Sequence, residues 1–192
     1  MKKVGVLSLQ GDFAAHGAAL ERAGAEPVYV RERAQLEGIA GLILPGGEST
    51  TMLKLLRQDN LFDALAGFGR RMPVFGTCAG AILMATSVTH PPQESFGLMD
   101  IGVERNAYGR QLDSRVVELD PSPEFQSRTS PGKLEAVFIR APIVRRAGSA
   151  VRVLAEYAGD PVLLQEGRHL VATFHPELTM DCRVHGFFLR ML

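Results

Sequence analysis

Residues 72–89 read M-P-V-F-G-T-C-A-G-A-I-L-M-A-T-S-V-T, and how this stretch folds decides the fold of the whole chain. It carries no charge and approaches the roughly 20 apolar residues of a membrane span. Pro73, Gly76, Thr77, Cys78, Gly80 and several hydroxyl side chains interrupt it, however, and a lipid-facing helix would not tolerate so many. The stretch reads instead as a buried strand over residues 73–76 that runs through Thr77 and Cys78 into a helix over 79–85.

Upstream, the same alternation recurs. Residues 4–9 form an apolar strand, and Asp12 is placed to cap a helix reaching Ala23, with Ala15, Ala19, Leu20 and Ala23 on one face. Strands follow at 27–30 and 41–44. The second of these is broken by Pro45-Gly46-Gly47 before a helix that starts near Ser49, and 61–68 is helical again. Strand and helix in turn imply a parallel sheet covered on both faces. Downstream, strand-like pieces at 115–119, 137–139, 151–157, 161–166 and 169–173 are separated by turn residues, so antiparallel or mixed strands are expected to extend the sheet. Residues 121–132 are rich in Pro, Ser and Thr and read as a surface loop. The expected architecture is a flavodoxin-like three-layer α/β/α sandwich.

Bulk properties narrow the function. With 192 residues and 46% hydrophobic content, a single domain over 1–192 is expected. Twenty-one basic side chains balance 21 acidic ones, which leaves no field to attract nucleic acid or an anionic membrane. The opening M-K-K-V-G-V-L-S-L-Q-G-D meets polar residues too soon for a secretory signal, so a cytoplasmic protein is expected. Cys78 and Cys182 are the two cysteines, and in a reducing compartment they are not expected to form a disulfide. No metal or cofactor motif is read.

The chemistry centres on Gly76-Thr77-Cys78-Ala79-Gly80. A G-x-C-x-G between a strand and a helix is the setting of a nucleophile elbow, and the small residues let the chain turn tightly and present the sulfur at the sheet's carboxyl edge. Beside the positive end of the next helix, the thiolate is favoured relative to a free cysteine with pKa about 8.5. A nucleophile needs a base. His175 follows an apolar run and precedes Pro176 and Glu177, and in extended backbone residues two apart share a side, so Glu177 can orient the imidazole. H-P-E alone is a weak pattern and gains weight only beside the elbow. The amides of Gly47 and Ala79 are the candidate oxyanion donors.

These residues resemble the class I (triad) glutamine amidotransferases, and more closely the glutaminase subunit of pyridoxal 5'-phosphate synthase. The segments that carry the resemblance are G-V-L-S-L-Q-G at 5–11, L-I-L-P-G-G-E-S-T-T at 42–51, F-G-T-C-A-G-A at 75–81, V-E-R-N-A-Y-G-R-Q at 103–111, F-I-R-A-P at 138–142 and F-H-P-E-L-T at 174–179. The resemblance implies that Cys78 attacks the side-chain amide of L-glutamine, that His175 moves the protons, and that Glu177 orients it. It also implies that Gly47, Glu48, Ser49, Arg105, Ile139 and Arg140 hold the substrate, with Arg105 or Arg140 clamping the α-carboxylate. It implies a (β/α)8-barrel synthase partner in a large hetero-oligomer, with Gln10 and the helix after it as candidate interface and glutaminase activity that rises on docking. Cys182, His16 and His185 read as ordinary helix residues, although His16 is placed where it could touch the partner.

Other readings remain open at this level. A triad glutaminase could serve a different synthase, such as one for imidazole glycerol phosphate. A DJ-1-like cysteine hydrolase also sets a cysteine at a strand-to-helix elbow, and a non-enzymatic binding protein could keep the same shell. The turn at 45–47 joined to H-P-E favours the amidotransferase.

Overall fold

The computed structural model describes residues 1–107 and 114–192. Its main sheet uses β1 (Lys3–Leu7), β2 (Glu26–Val30), β3 (Gly41–Leu44), β4 (Val74–Thr77), β10 (Arg152–Tyr157), β11 (Asp160–Glu166) and β12 (His169–Ala172). The order across it is β10-β11-β12-β4-β3-β1-β2, parallel from β12 to β2, with β11 and β10 added antiparallel at one edge. The central strands are buried on both faces, which is why G-L-I-L and V-F-G-T read as continuous apolar runs.

Period-two alternation splits the core. Leu42, Leu44 and Val74 face one layer with α2 (Ser49–Gln58), α3 (Phe62–Gly69) and α4 (Ala79–Met84). Ile43 and Phe75 face the other, with α1 (Phe13–Arg22), α5 (Pro123–Arg128) and α6 (Arg183–Leu189). Phe75 therefore looks away from α4, towards α1 and α6.

The first half matches the sequence expectation closely, and the second half differs in three ways. The expected strands at 115–119 and 137–139 exist as β7 (Ser114–Leu119) and β8 (Leu134–Ile139), but among the described residues they form a two-stranded sheet of their own, apart from the main sheet. Three strands are additional: β5 (Ala85–Thr89), β6 (Met99–Glu104) and β9 (Ile143–Ala147) form a separate sheet. Their short, polar-interrupted sequences hide the alternation, because each strand contributes few buried apolar side chains: Ala85 and Val88 from β5, Met99, Ile101 and Val103 from β6, Ile143 and Val144 from β9. The loop expected at 121–132 contains α5, started by the Ser122 hydroxyl accepting from the Phe125 amide and anchored by fully buried Phe125.

Among the described residues, no helix is long and apolar enough to cross a membrane. The uncharged stretch at 72–89 spans β4, α4 and β5.

Candidate active site

Two adjacent parallel strands bring the site together. β4 pairs with β12 so that Thr77 lies opposite Ala172, and the Cys78 amide donates to the Ala172 carbonyl at 2.9 Å. Chain leaving β4 therefore turns into Cys78 beside chain that continues from β12 to His175, at the carboxyl edge of the sheet where such folds bind ligands.

The elbow is as sharp as the sequence implies. Cys78 has φ 48° and ψ −104°, a conformation that costs a non-glycine residue about 1–3 kcal/mol and persists because its surroundings enforce it. Close packing supplies that enforcement. A Cβ on Gly80 would fall 2.0 Å from the Leu44 carbonyl oxygen, and one on Gly76 would fall 2.6 Å from the carbonyl oxygen of Gly80. The sulfur is less open than expected: Cys78 is 7% exposed, with Sγ 3.9 Å from the Ile139 carbonyl. The end of β8 roofs the elbow, a long-range placement that no local motif signals.

His175 and Glu177 are both buried, and His175 Nδ1 lies 2.7 Å from Glu177 Oε1. The expected contact forms, but on a different backbone. Residues Pro176–Leu178 make a 3₁₀ turn rather than an extended pair, because Pro176 favours the start of a helical turn. Burial works against charge on His175, yet hydrogen bonds and charge from Cys78 and Glu177 overcome it, and its pKa is pushed up to about 10. His175 is thereby favoured in its protonated form, between the sulfur of Cys78 and the carboxyl of Glu177.

The imidazole rests on the turn at 45–47. A Cβ on Gly46 would stand 2.4 Å from His175 Cε1, so glycine is required there for the base to lie flat. Gly47 has φ 155°, and its added Cβ would meet Gln10 Oε1 at 2.5 Å. Gln10 Oε1 accepts from the Glu48 amide at 2.9 Å, and the Asp12 amide donates to the Gly46 carbonyl at 3.3 Å. The segment before α1 is thus tied to the turn. Asp12 makes no side-chain cap for α1, contrary to expectation, and its Oδ2 lies 3.8 Å from His175 Nδ1 instead. Ligand atoms of Asp12, His175 and Glu177 all lie within 4.8 Å of one another.

Cys78, Ala79, His175, Gly47, Glu48, Ser49, Arg105, Ile139 and Arg140 all line one cavity of about 290 Å³. Its size suits one free amino acid, at the lower end of the range for ligand pockets. Arg105 is carried in by the end of β6 and is 8% exposed. Its Nη2 is 3.7 Å from Glu48 Oε1, while its buried Nη1 has no hydrogen-bond partner among the described residues. Arg140 is exposed at the end of β8 and has φ 42°. The Thr50 hydroxyl, hydrogen-bonded to Glu48 at 2.6 Å, outweighs partial burial and with Arg105 and Arg140 holds the Glu48 carboxyl below its usual range. Residues 108–111 of the V-E-R-N-A-Y-G-R-Q segment lie outside the described residues.

Three polar side chains behind Cys78, His175 and Glu177 carry no sign of their burial in any sequence motif. His16 and His185, expected to be ordinary helix residues, are both 0% exposed, and Thr77 is equally buried. His16 is therefore not placed to touch a partner. Its position on the buried face of α1 beside Gly17, Ala19 and Leu20 was the available signal, missed because the helical face was assigned through the alanines. Cys182 sits at the start of α6, half-buried and remote from the cavity.

The model of the SNO glutamine amidotransferase family matches residues 6–192. A pyridoxal 5'-phosphate synthase subunit PdxT of Solibacter usitatus is 74% identical over all of both chains. One of Koribacter versatilis is 51% identical over 99% of this chain and 95% of its own. A crystal structure described as a glutamine amidotransferase superposes with a TM-score of 0.89 at 44% identity, covering 98% of this chain and 97% of that one.

Proposed function

Because the chain belongs to the SNO glutamine amidotransferase family, we propose that Cys78, His175 and Glu177 are the triad with which it hydrolyses L-glutamine. The chain is a glutaminase subunit of pyridoxal 5'-phosphate synthase. The observation that carries the residue assignment is the single cavity of about 290 Å³ shared by Cys78, His175 and the turn at Gly47.

In the reaction, Cys78 Sγ attacks the side-chain amide carbon of glutamine while His175 holds the thiol's proton. The tetrahedral oxyanion takes donors from the Gly47 and Ala79 amides. His175 then gives its proton to the departing nitrogen, ammonia leaves, and a thioester remains on Cys78. Water, deprotonated by His175, cleaves the thioester to glutamate and restores the thiol. Glu177 keeps His175 in the tautomer that presents Nε2 to the sulfur.

Arg105 is our choice for the α-carboxylate clamp. Its buried Nη1, without a partner among the described residues, is a costly orphan that a carboxylate would satisfy. Glu48 is then the acceptor for the substrate ammonium, with Ser49, Ile139 and Arg140 completing the wall.

The ammonia passes to a (β/α)8-barrel synthase subunit, delivered before cytoplasmic water can protonate it. Gln10 and α1 belong to the docking face, and exposed Leu178 and Met180, immediately past Glu177, offer it apolar surface. Mixing the chain with a barrel synthase, glutamine, ribose 5-phosphate and glyceraldehyde 3-phosphate should give the absorbance of pyridoxal 5'-phosphate and a glutaminase rate above that of the chain alone. Full glutaminase activity without the synthase, and no product with it, would refute the coupling.

A further inference from the structure

Behind the triad, on the far side of β4 from α4, two fully buried histidines meet across the α1–α6 contact. His16 Nδ1 lies 3.0 Å from His185 Nε2. The other ring nitrogen of His16, Nε2, is 3.0 Å from Thr77 Oγ1 and 3.4 Å from Glu177 Oε2. Thr77 immediately precedes the nucleophile, and Glu177 Oε2 is the carboxylate oxygen that His175 does not use and that has no hydrogen bond of its own. One imidazole therefore touches the residue before Cys78 and the carboxylate behind His175.

The layer around the pair is otherwise aromatic and aliphatic. Phe75 meets both rings edge-on, with centroids 6.3 Å from His16 and 5.8 Å from His185. Two imidazoles in such a place are costly unless their polar atoms are used. Burial holds both of them uncharged. For His16, burial acts together with His185 and His175, and for His185 it acts with Arg22 and pushes the pKa down to about 3.

A neutral pair can order its protons in two ways. If His16 carried its hydrogen on Nδ1 and donated to His185, its bare Nε2 would face a carboxylate oxygen, and His185 would bury an N–H at Nδ1, an atom with no hydrogen-bond partner. If His185 donates from Nε2 to His16 Nδ1, then His16 carries N–H at Nε2, hydrogen-bonded to Thr77 with Glu177 Oε2 3.4 Å away. His185 Nδ1, without a partner among the described residues, is then left as a bare ring acceptor, a cheaper group to strand than the buried N–H of the first arrangement.

We propose that His185 and His16 form a proton-ordered ladder in which His16, as a positioning residue, holds Thr77 and the second oxygen of Glu177 and so fixes the triad's geometry. The proposal rests on Glu177 being the orienting carboxylate. The base hydrogen-bonds one oxygen of the carboxylate, and the ladder sets the Thr77-bonded edge of His16 3.4 Å from the other, an electrostatic contact rather than a hydrogen bond. Without His16, Glu177 is freer to rotate its carboxylate, and His175 loses a fixed partner although no contact with substrate changes.

Two measurements test it. The full chain labelled with ¹⁵N-histidine should show His16 and His185 at pH 7 as neutral Nε2–H tautomers, and an Nδ1–H tautomer or an imidazolium at His16 overturns the ladder. This reading needs no variant to fold. In the complex with the synthase subunit, His16→Phe should lower kcat for glutaminase roughly tenfold to a hundredfold, the usual loss when a group that orients a catalytic ligand is removed, with KM within about twofold. His16→Gln, which keeps an N–H near the Nε2 position, should recover most of the rate. Equal losses in Phe and Gln, or no loss in Phe, refute the positioning role. Glu177→Gln, assayed alongside, separates the two levels: if it is impaired while His16→Phe is not, the triad stands and the ladder falls, and if it is fully active both fall.

Discussion

The two faces of β4 differ in how they build one site. On the α4 face, the nucleophile elbow is made of five consecutive residues, 76–80, in a strained turn forced by glycine contacts. On the α1–α6 face, the support for the base is made of His16, Thr77, Glu177 and His185, with the two histidines 169 positions apart in the sequence. The elbow is a local object set by backbone sterics. The ladder exists only once two distant helices have packed on the sheet, and so it depends on the whole fold. The chemistry is concentrated on the first face, and the geometry that lets it work is concentrated on the second.

Breaking the first face should have the largest effect. Cys78→Ala in the complex should reduce glutamate release by a factor on the order of 10⁶, the cost of losing a nucleophile, while synthesis from added ammonium salt continues. The joint between the faces comes next: Glu177→Gln should cost on the order of 10⁴ in kcat, because the amide presents the wrong partner to His175 Nδ1. A deviation to tenfold or less would show that the ladder face contributes little. Arg105→Ala probes the pocket apart from both faces. It should raise KM for glutamine by roughly 10- to 150-fold, the worth of a charge-assisted hydrogen bond of about 1.5–3 kcal/mol, and change kcat much less.

The smallest effect is on stability. Burial, with Arg22 nearby, pushes His185 down to about 3, against about 6.5 in an unfolded chain. The unfolded state therefore binds a proton that the native state refuses, and stability falls as pH drops below about 6.5, by up to about 1.4 kcal/mol per pH unit towards 3. His16 acts in the same direction. His175 has the opposite sign: raised to about 10, its contribution is fully present below about 6.5 and is lost as pH rises through 10. Denaturant midpoints between pH 7 and 4.5 should fall less steeply for His185→Leu than for the natural chain, and equal slopes would mean that His185 is not held neutral.

What was legible in the sequence follows the same division. β3 and α2 begin and end where Pro45-Gly46-Gly47 and Ser49 mark them, and the elbow and H-P-E are contiguous motifs. Ser49, Arg105 and Arg140 reached the pocket through a resemblance rather than through any periodicity. The strands β5, β6 and β9 were invisible because each buries only a few side chains and interrupts them with polar ones. His16 and His185 were passed over because a lone histidine in a helix carries no local sign of its burial, and only the α1–α6 packing on Phe75 reveals it. The contact between Glu177 and His175 forms by a route other than the one the motif suggests, since a 3₁₀ turn rather than an extended pair sets it.

The account turns on Cys78 being the atom that glutamine acylates. The direct measurement is peptide mass spectrometry of the complex after incubation with a diazoketone analogue of glutamine, which alkylates the nucleophile that binds it. One adduct on Cys78, appearing in step with the loss of glutaminase activity and blocked by excess glutamine, is the expected result. Activity lost with Cys78 unmodified, or an adduct on Cys182 in its place, would contradict it.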